Sequence, residues 1–424
     1  MIVNFSLESL FAKFVAGLLT LALFGVLVCA ALWYLVIGTL SDERIAVPPD
    51  VLNASTQYFP NSPRLQARLA AAEMQGVDRD LAKAEAHIRQ AIALLPGEYN
   101  YRLLLASILE AQGNREEAEK SYRDSLALAP NYLEVHWRLA NNLVRQGKVK
   151  ESLDHFRYAT GKNLGLLPNA YDLIWNVSGG SIEAINSITD AAPRAQILLA
   201  HFLAKQAKFS EAAKTFRQID RKARKIETET PPLINELIAA NQLPLARDLW
   251  SDTLSDTPNQ PQPLIWNGSL EQEINAALPQ FDWIFQDSEY ARVTIDPQTA
   301  RTGTSSLRVY FPGKDTARVS GTIKQILLLN PGKRYRLECY YKTRDLISPM
   351  GPRVVITDLT SQTVIAGTDP LPEGTQPWQP IGFEFVAPAN LPAALIQIQR
   401  IPKYSYDEPT RGYVWFDEFI LKEQ

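Results

Sequence analysis

Residues 105–130 read LASILEAQGNREEAEKSYRDSLALAP, and residues 139–164, 34 positions further on, read LANNLVRQGKVKESLDHFRYATGKNL. The same offset superposes Ala71, Leu105 and Leu139; Ala72, Ala106 and Ala140; Ala84, Ala118 and Ser152; Ile88, Tyr122 and Phe156; and Ala91, Ser125 and Ala159. Small side chains at fixed places let two helices cross closely, and larger apolar ones fill the space beside the crossing. Gly113 and Gly147 stand where a helix must turn, while Pro96 and Pro130 punctuate the ends of the units. A constant period of this length is the signature of stacked units, each of which buries its apolar face only against its neighbours.

Working outward, Leu199, Ala200, Ala212 and Phe216 repeat the internal spacings of 12 and 16 seen in Ala106, Ala118 and Tyr122. Tyr171 to Ile188 reads as a divergent helical pair and Leu233 to Leu254 as a final pair or cap. These residues resemble the tetratricopeptide repeat family over 62–255. The resemblance implies a solenoid whose concave face, built from the first helix of each pair, holds a peptide or protein partner. On that face Trp137, Asn141 and Arg145, four residues apart, are the candidate protein-binding stripe. An Asn and an Arg there are similar to the carboxylate clamp of chaperone-associated members, although the preceding unit offers Ser107 at the equivalent place. The four histidines, His87, His136, His155 and His201, are scattered over repeat helices in no metal-ligand spacing.

Toward the amino terminus, Phe14 to Leu40 is a run of 27 residues without a charge. At 1.5 Å rise per residue it exceeds a hydrocarbon core of roughly 30 Å. Trp33 to Ile37 continue the run where a signal peptide would end, so an uncleaved anchor is expected. The expected order is a short cytoplasmic terminus (1–13), a transmembrane helix (14–40), a linker (41–61), the repeats (62–255), a Pro-rich linker (256–263) and a β-sandwich (264–424). The location implied is a single-pass protein of a bacterial inner membrane, with the bulk of the chain periplasmic.

Beyond the Pro-rich stretch the period falls to two, in Ser306 to Phe311, Arg334 to Tyr341 and Leu395 to Arg400. On this alternation Trp415, Phe419 and Leu421 share one strand face, and Tyr340 points away from the face of Tyr335, Leu337, Cys339 and Tyr341. The motifs Trp266-Asn-Gly-Ser-Leu-Glu271, Arg301-Thr-Gly-Thr-Ser-Ser-Leu307, Asn330-Pro-Gly-Lys-Arg-Tyr335 and Tyr413-Val-Trp-Phe-Asp-Glu-Phe-Ile-Leu421 follow in order. Together they resemble the galactose-binding-like jelly roll of carbohydrate-binding modules related to families 4, 9 and 22. That resemblance implies a structural calcium ion held by Glu271, the Gly303 to Ser306 loop and Asp417. It also implies sugar stacking on aromatics outside the core, for which Tyr404, Tyr406, Tyr340 and Trp378 are the candidates, with Trp283 expected in the core. Ser269 replaces the usual Asp of the opening motif.

The expected fold class is therefore multidomain α + β: a transmembrane helix, an all-α tetratricopeptide solenoid and an all-β jelly-roll sandwich. A net charge of -3 gives no electrostatic footprint for nucleic acid, and two cysteines draw no disulfide framework. The chain carries no Gly-x-Ser-x-Gly or phosphate-loop motif and no histidine in the sandwich, so a non-enzymatic scaffold is expected. Its expected partners are a protein or peptide on the repeats, a polysaccharide on the sandwich and the membrane, in envelope polysaccharide assembly or export. The alternatives are a purely protein-binding scaffold whose sandwich has lost sugar binding, and a glycan-processing enzyme running on acids such as Glu338 or Asp358.

Overall fold

The computed structural model describes residues 10–42, 45, 47–75, 79–254, 262–314, 318–391, 393–404 and 406–424. Residues 1–9 of the expected amino-terminal segment and 256–261 of the Pro-rich linker lie outside the described residues. The chain divides into two compact units, Met1–Asp190 and Ala191–Gln424. That division falls inside the helical stretch read from the sequence, not at the Pro-rich segment.

In the first unit the apolar run is one helix, α1 (Leu10–Ser41), of which Lys13–Leu40 is long and apolar enough to cross a membrane. The expected linker contains a second helix, α2 (Pro49–Tyr58), opened by Pro49 in its first turn. Leu52 of α2 is buried with Leu65 and Leu69 of the first repeat helix. The repeats follow as α3 (Pro63–Gln75), α4 (Leu81–Leu94), α5 (Tyr99–Ala111), α6 (Arg115–Leu128), α7 (Leu133–Arg145) and α8 (Val149–Lys162). A short 3-10 turn, α9 (Leu167–Val177) and α10 (Ile182–Ser187) complete the unit.

The 34-residue register is carried into the core. Ala84, Ala118, Ser152, Ile88, Tyr122, Phe156, Ala91, Ser125 and Ala159 are all fully buried, as are Ala106 and Ala140. Gly113 and Gly147 sit at φ of +90 and +78, the left-handed turn that glycine adopts without penalty. The first unit departs from the register: Ala71 and Ala72 are only half-buried, and Ala70 is the fully buried residue. Pro63, preset for a first helical turn, starts α3 two places ahead of the register of α5 and α7.

Hydrogen bonds also keep the period. Gln112 Nε2 donates to the Leu81 carbonyl (3.1 Å) and to Glu85 (2.9 Å), and Gln146 Nε2 donates to the Arg115 carbonyl (3.2 Å) and to Glu119 (2.9 Å). Arg89 and Arg123 bind the same two glutamates from one turn on. The second and third units are thereby each tied to the unit before by the same Gln-to-Glu bond, with an arginine of the earlier unit's own helix holding that glutamate.

The second unit opens with α11 (Pro193–Lys205), α12 (Phe209–Arg217), the unanticipated α13 (Arg221–Ile226), α14 (Thr230–Ala239) and α15 (Leu243–Leu254). Leu199, Ala200, Ala212 and Phe216 are buried as the spacing requires. Among the described residues ten strands follow: β1 (Ile284–Phe285), β2 (Arg292–Asp296), β3 (Ser306–Pro312), β4 (Ile323–Leu328), β5 (Arg334–Ile347), β6 (Arg353–Asp358), β7 (Val364–Gly367), β8 (Gly374–Val386), β9 (Ala393–Gln399) and β10 (Arg411–Glu423). They form two five-stranded antiparallel sheets, β1-β4-β9-β6-β7 and β2-β3-β10-β5-β8. One apolar core between the sheets holds Trp283, Leu307, Tyr335, Leu337, Cys339, Ile396 and Phe416.

The expected common face of Trp415, Phe419 and Leu421 does not form. The ladder between β10 and β5 shifts register between Asp417 and Ile420, where Glu418 adopts φ of +53. Such a bulge inverts the alternation along a strand. Val414 and Phe416 point into the core before it, Phe419 and Leu421 after it, and Trp415 is left on the opposite face of the sheet, across from Arg308 and Lys342.

The last helix belongs to the sandwich's own unit for a visible reason. Fully buried Trp250 donates Nε1–H to the Leu278 carbonyl at 2.9 Å and meets Trp266 and Phe281 edge-on at 5.0 and 5.7 Å. The Arg247 guanidinium lies over the Trp250 ring at 4.9 Å and donates to the Phe281 carbonyl at 3.1 Å. Burial among these rings pushes its pKa down to about 10.

Candidate functional site

On the repeats, Trp137 is half-buried and edge-on to Phe156 at 5.3 Å. Asn141 Nδ2 donates to the Trp137 carbonyl one turn back at 2.8 Å, and Arg145 pairs with Glu110 at 2.8 Å. Glu110 also accepts from Tyr122 and Asn142. Asn141 and Arg145 therefore each spend a donor inside the fold. His136 and His155, 19 residues apart, share a hydrogen bond between their Nδ1 atoms at 3.0 Å, and His136 stacks on Tyr158.

A groove of about 930 Å³ lies elsewhere in the same unit, lined by Arg64, Ala71, Asn100, Tyr101, Leu104 and Tyr132. Its walls come from α3, α5, the residue that opens α7 and, through Gly38 and Asp42, the carboxyl end of α1. None of these residues stands out by type. Their common register, not their identity, was the signal in the sequence.

In the sandwich, Glu271 and Asp417 are carboxylates aimed at backbone N–H groups. Glu271 accepts from the Thr304 hydroxyl (2.7 Å) and from the N–H groups of Thr304 (3.0 and 3.1 Å) and Ser305 (2.9 Å). The Thr304 hydroxyl, with the backbone donors, holds its carboxyl below the ordinary value. Asp417 accepts from the N–H groups of Arg301 (2.8 Å), Thr302 (3.4 Å) and Glu418 (2.7 Å), while burial pushes its carboxyl up. Calcium needs six to eight oxygen ligands. Here the loop 301–305 turns N–H donors toward both carboxylates, so the two side chains clasp the loop.

The aromatic candidates are dispersed. Tyr404 and Tyr406, 47% and 80% exposed, stack face to face with centroids 5.1 Å apart and planes within 2°. The Asp407 carboxylate accepts from the N–H groups of Lys403 and Tyr404 and shapes their loop. Tyr340 is outside the core as its alternation requires, but the Arg301 guanidinium covers its ring at 3.4 Å. Trp378 is half-buried on β8, and Trp283 is a core residue, 1% exposed.

Residues 99–132 match the tetratricopeptide repeat family. They span α5, α6 and the turn into α7, the unit with which the sequence reading began. Among solved structures, MamA is 25% identical over 27% of this chain and 65% of its own, with a TM-score of 0.25. The chain therefore spans a little under two thirds of that protein. A CBM4 structure is 18% identical over 38% of this chain and 99% of its own, with a TM-score of 0.28, and a family 16 carbohydrate binding module is 18% identical over the same shares, with a TM-score of 0.26. No curated protein matches the chain.

Proposed function

We propose that this chain is a non-enzymatic scaffold anchored in a bacterial inner membrane by α1, its repeats holding a protein or peptide partner in the periplasm and its sandwich holding a glycan. The groove along α3 and α5 carries the reading. A peptide in extended form needs a trough with an apolar floor and polar walls, and Leu104 and Ala71 beside Arg64, Asn100, Tyr101 and Tyr132 supply both. Attachment of an envelope polysaccharide machine to the membrane is the role that joins the three parts.

The glycan half rests on the exposed, parallel rings of Tyr404 and Tyr406, which suit the apolar C–H face of a sugar. A photo-crosslinker placed at Leu104 tests the first half in cells. One partner species that disappears with Asn100→Ala and Tyr101→Ala supports the groove, and a crosslinking pattern unchanged by both removes it. Loss of glycan retention in Tyr404→Ala and Tyr406→Ala supports the second half; retention by both sends the sugar elsewhere or leaves a purely protein-binding sandwich.

A further inference from the structure

The face of the sheet β2-β3-β10-β5-β8 turned away from the core carries two cross-strand rows. The first runs Arg292, Tyr310, Tyr413, Arg344, and the second runs Thr294, Arg308, Trp415, Lys342. Neighbouring strands are about 4.8 Å apart, so each row is roughly 14 Å long, enough for a short oligosaccharide. Four cations stand on these rows, and the adjacent carboxylate, Asp296, is buried under them, accepting the Trp415 indole N–H at 2.8 Å and facing Arg308 at 3.5 Å.

The rings on this face are not open. Arg344 lies over Tyr413 at 4.3 Å and over Trp415 at 5.4 Å, Lys342 lies over Trp415 at 5.8 Å, and Trp415 is 3% exposed. Tyr310 and Tyr413 stack at 4.7 Å and Tyr413 and Trp415 at 5.7 Å, forming a floor on which the cations rest. A neutral sugar would have to displace those cations to reach an aromatic face. A carboxylate meets them first, and the Arg344 guanidinium, already held over two rings, loses less freedom on binding it.

We infer that this face binds an acidic polysaccharide, a chain bearing uronate carboxylates, with Arg308, Lys342 and Arg344 as the groups that take the carboxylates. The inference rests on the reading of the sandwich as a glycan-binding domain and supplies its ligand class. It concerns a surface distinct from the Tyr404–Tyr406 pair.

The test uses the full chain in uncharged detergent micelles, with alginate, neutral dextran and poly-glutamate of matched length as probes. The expected result is retention of alginate that weakens with added salt, little retention of dextran, and a loss of roughly tenfold in alginate affinity for Arg344→Ala and for Arg308→Gln. Arg344→Lys should recover part of the loss, and Lys324→Ala, on the other sheet, should change nothing. Thermal melting of each variant guards against misfolding. Dextran bound as well as alginate and indifferent to Arg344→Ala would overturn the inference while leaving the glycan reading intact. Poly-glutamate bound as tightly as alginate, with the same variant sensitivity, would overturn it in favour of a polyanion-binding protein surface. Failure to retain either polysaccharide would remove the inference and the glycan reading together.

Discussion

Gly303 sits at φ of +65 directly above the Glu271 carboxylate, and a Cβ built there would collide with Oε1. Gly303→Ala must displace either the carboxylate or the turn, and we expect a loss of about 1–3 kcal/mol, read from urea unfolding of the full chain. An unchanged midpoint would mean that the clasp is not needed by the fold. The same clasp sets an acid limit. Because the Thr304 hydroxyl and the backbone donors depress the folded pKa of Glu271 below its reference of 4.5, the unfolded chain takes up protons first as acid is added. Its contribution is therefore present above pH 4.5 and lost as pH falls through the folded value, and Glu271→Gln should flatten that part of the stability profile. Since N–H donors already fill the carboxylates, melting in calcium and in chelator should coincide; a higher melting point in calcium would mean that the 301–305 loop turns carbonyls inward when the ion is offered.

The helix pair and the strand are the next scale. Ala106 and Ala140 are fully buried at the places where the period demands a small residue. Replacing either with Trp should overpack a closed crossing and cost about 1–3 kcal/mol or more, while Gln112→Ala and Gln146→Ala, which cut the repeated tie between units, should each cost about 1 kcal/mol. If the tryptophan variants melted as the parent does, the repeat alignment itself would be at fault. In the strands, the alternation of β3 and β9 was legible because each is paired on both sides without a register shift. β10 was not: one extra residue near Glu418 sets Trp415 on the outer face while Phe419 and Leu421 face the core, and the bulge that inverts the alternation is decided by pairing with β5 and not by a residue of its own type in the sequence.

Across the whole molecule, two expectations follow from how the chain is divided. Trp250 is fully buried and joined by its indole N–H to Leu278, so Trp250→Ala should cost about 3–5 kcal/mol. Amide hydrogen exchange should show α14 and α15 opening together with the sandwich, and not with α3 to α8, because the compact unit begins at Ala191. Exchange of α15 in step with the early repeats would argue against that division. In the membrane, protease added to spheroplasts should remove everything beyond about Asp42, and full protection of that region would reverse the proposed orientation.

By itself the sequence determined the features that are periodic along the chain: the uncharged run of α1, the 34-residue units with their buried Ala, Tyr and Phe positions, and the two-residue alternation of the sandwich strands. These are local because helix and strand geometry fixes which residues share a face before any partner is known. Only the tertiary structure decided what depends on residues far apart in the chain. It put Lys342 and Arg344 over the rings of Tyr413 and Trp415 with Arg308 beside them against Asp296, set Glu271 and Asp417 against the N–H donors of one loop, and placed α15 in the sandwich's unit through Arg247, Trp250, Trp266 and Phe281. Each of these arises from strand register or side-chain contact across long loops, where the physical determinant is the neighbour that arrives in space and not the spacing within the chain.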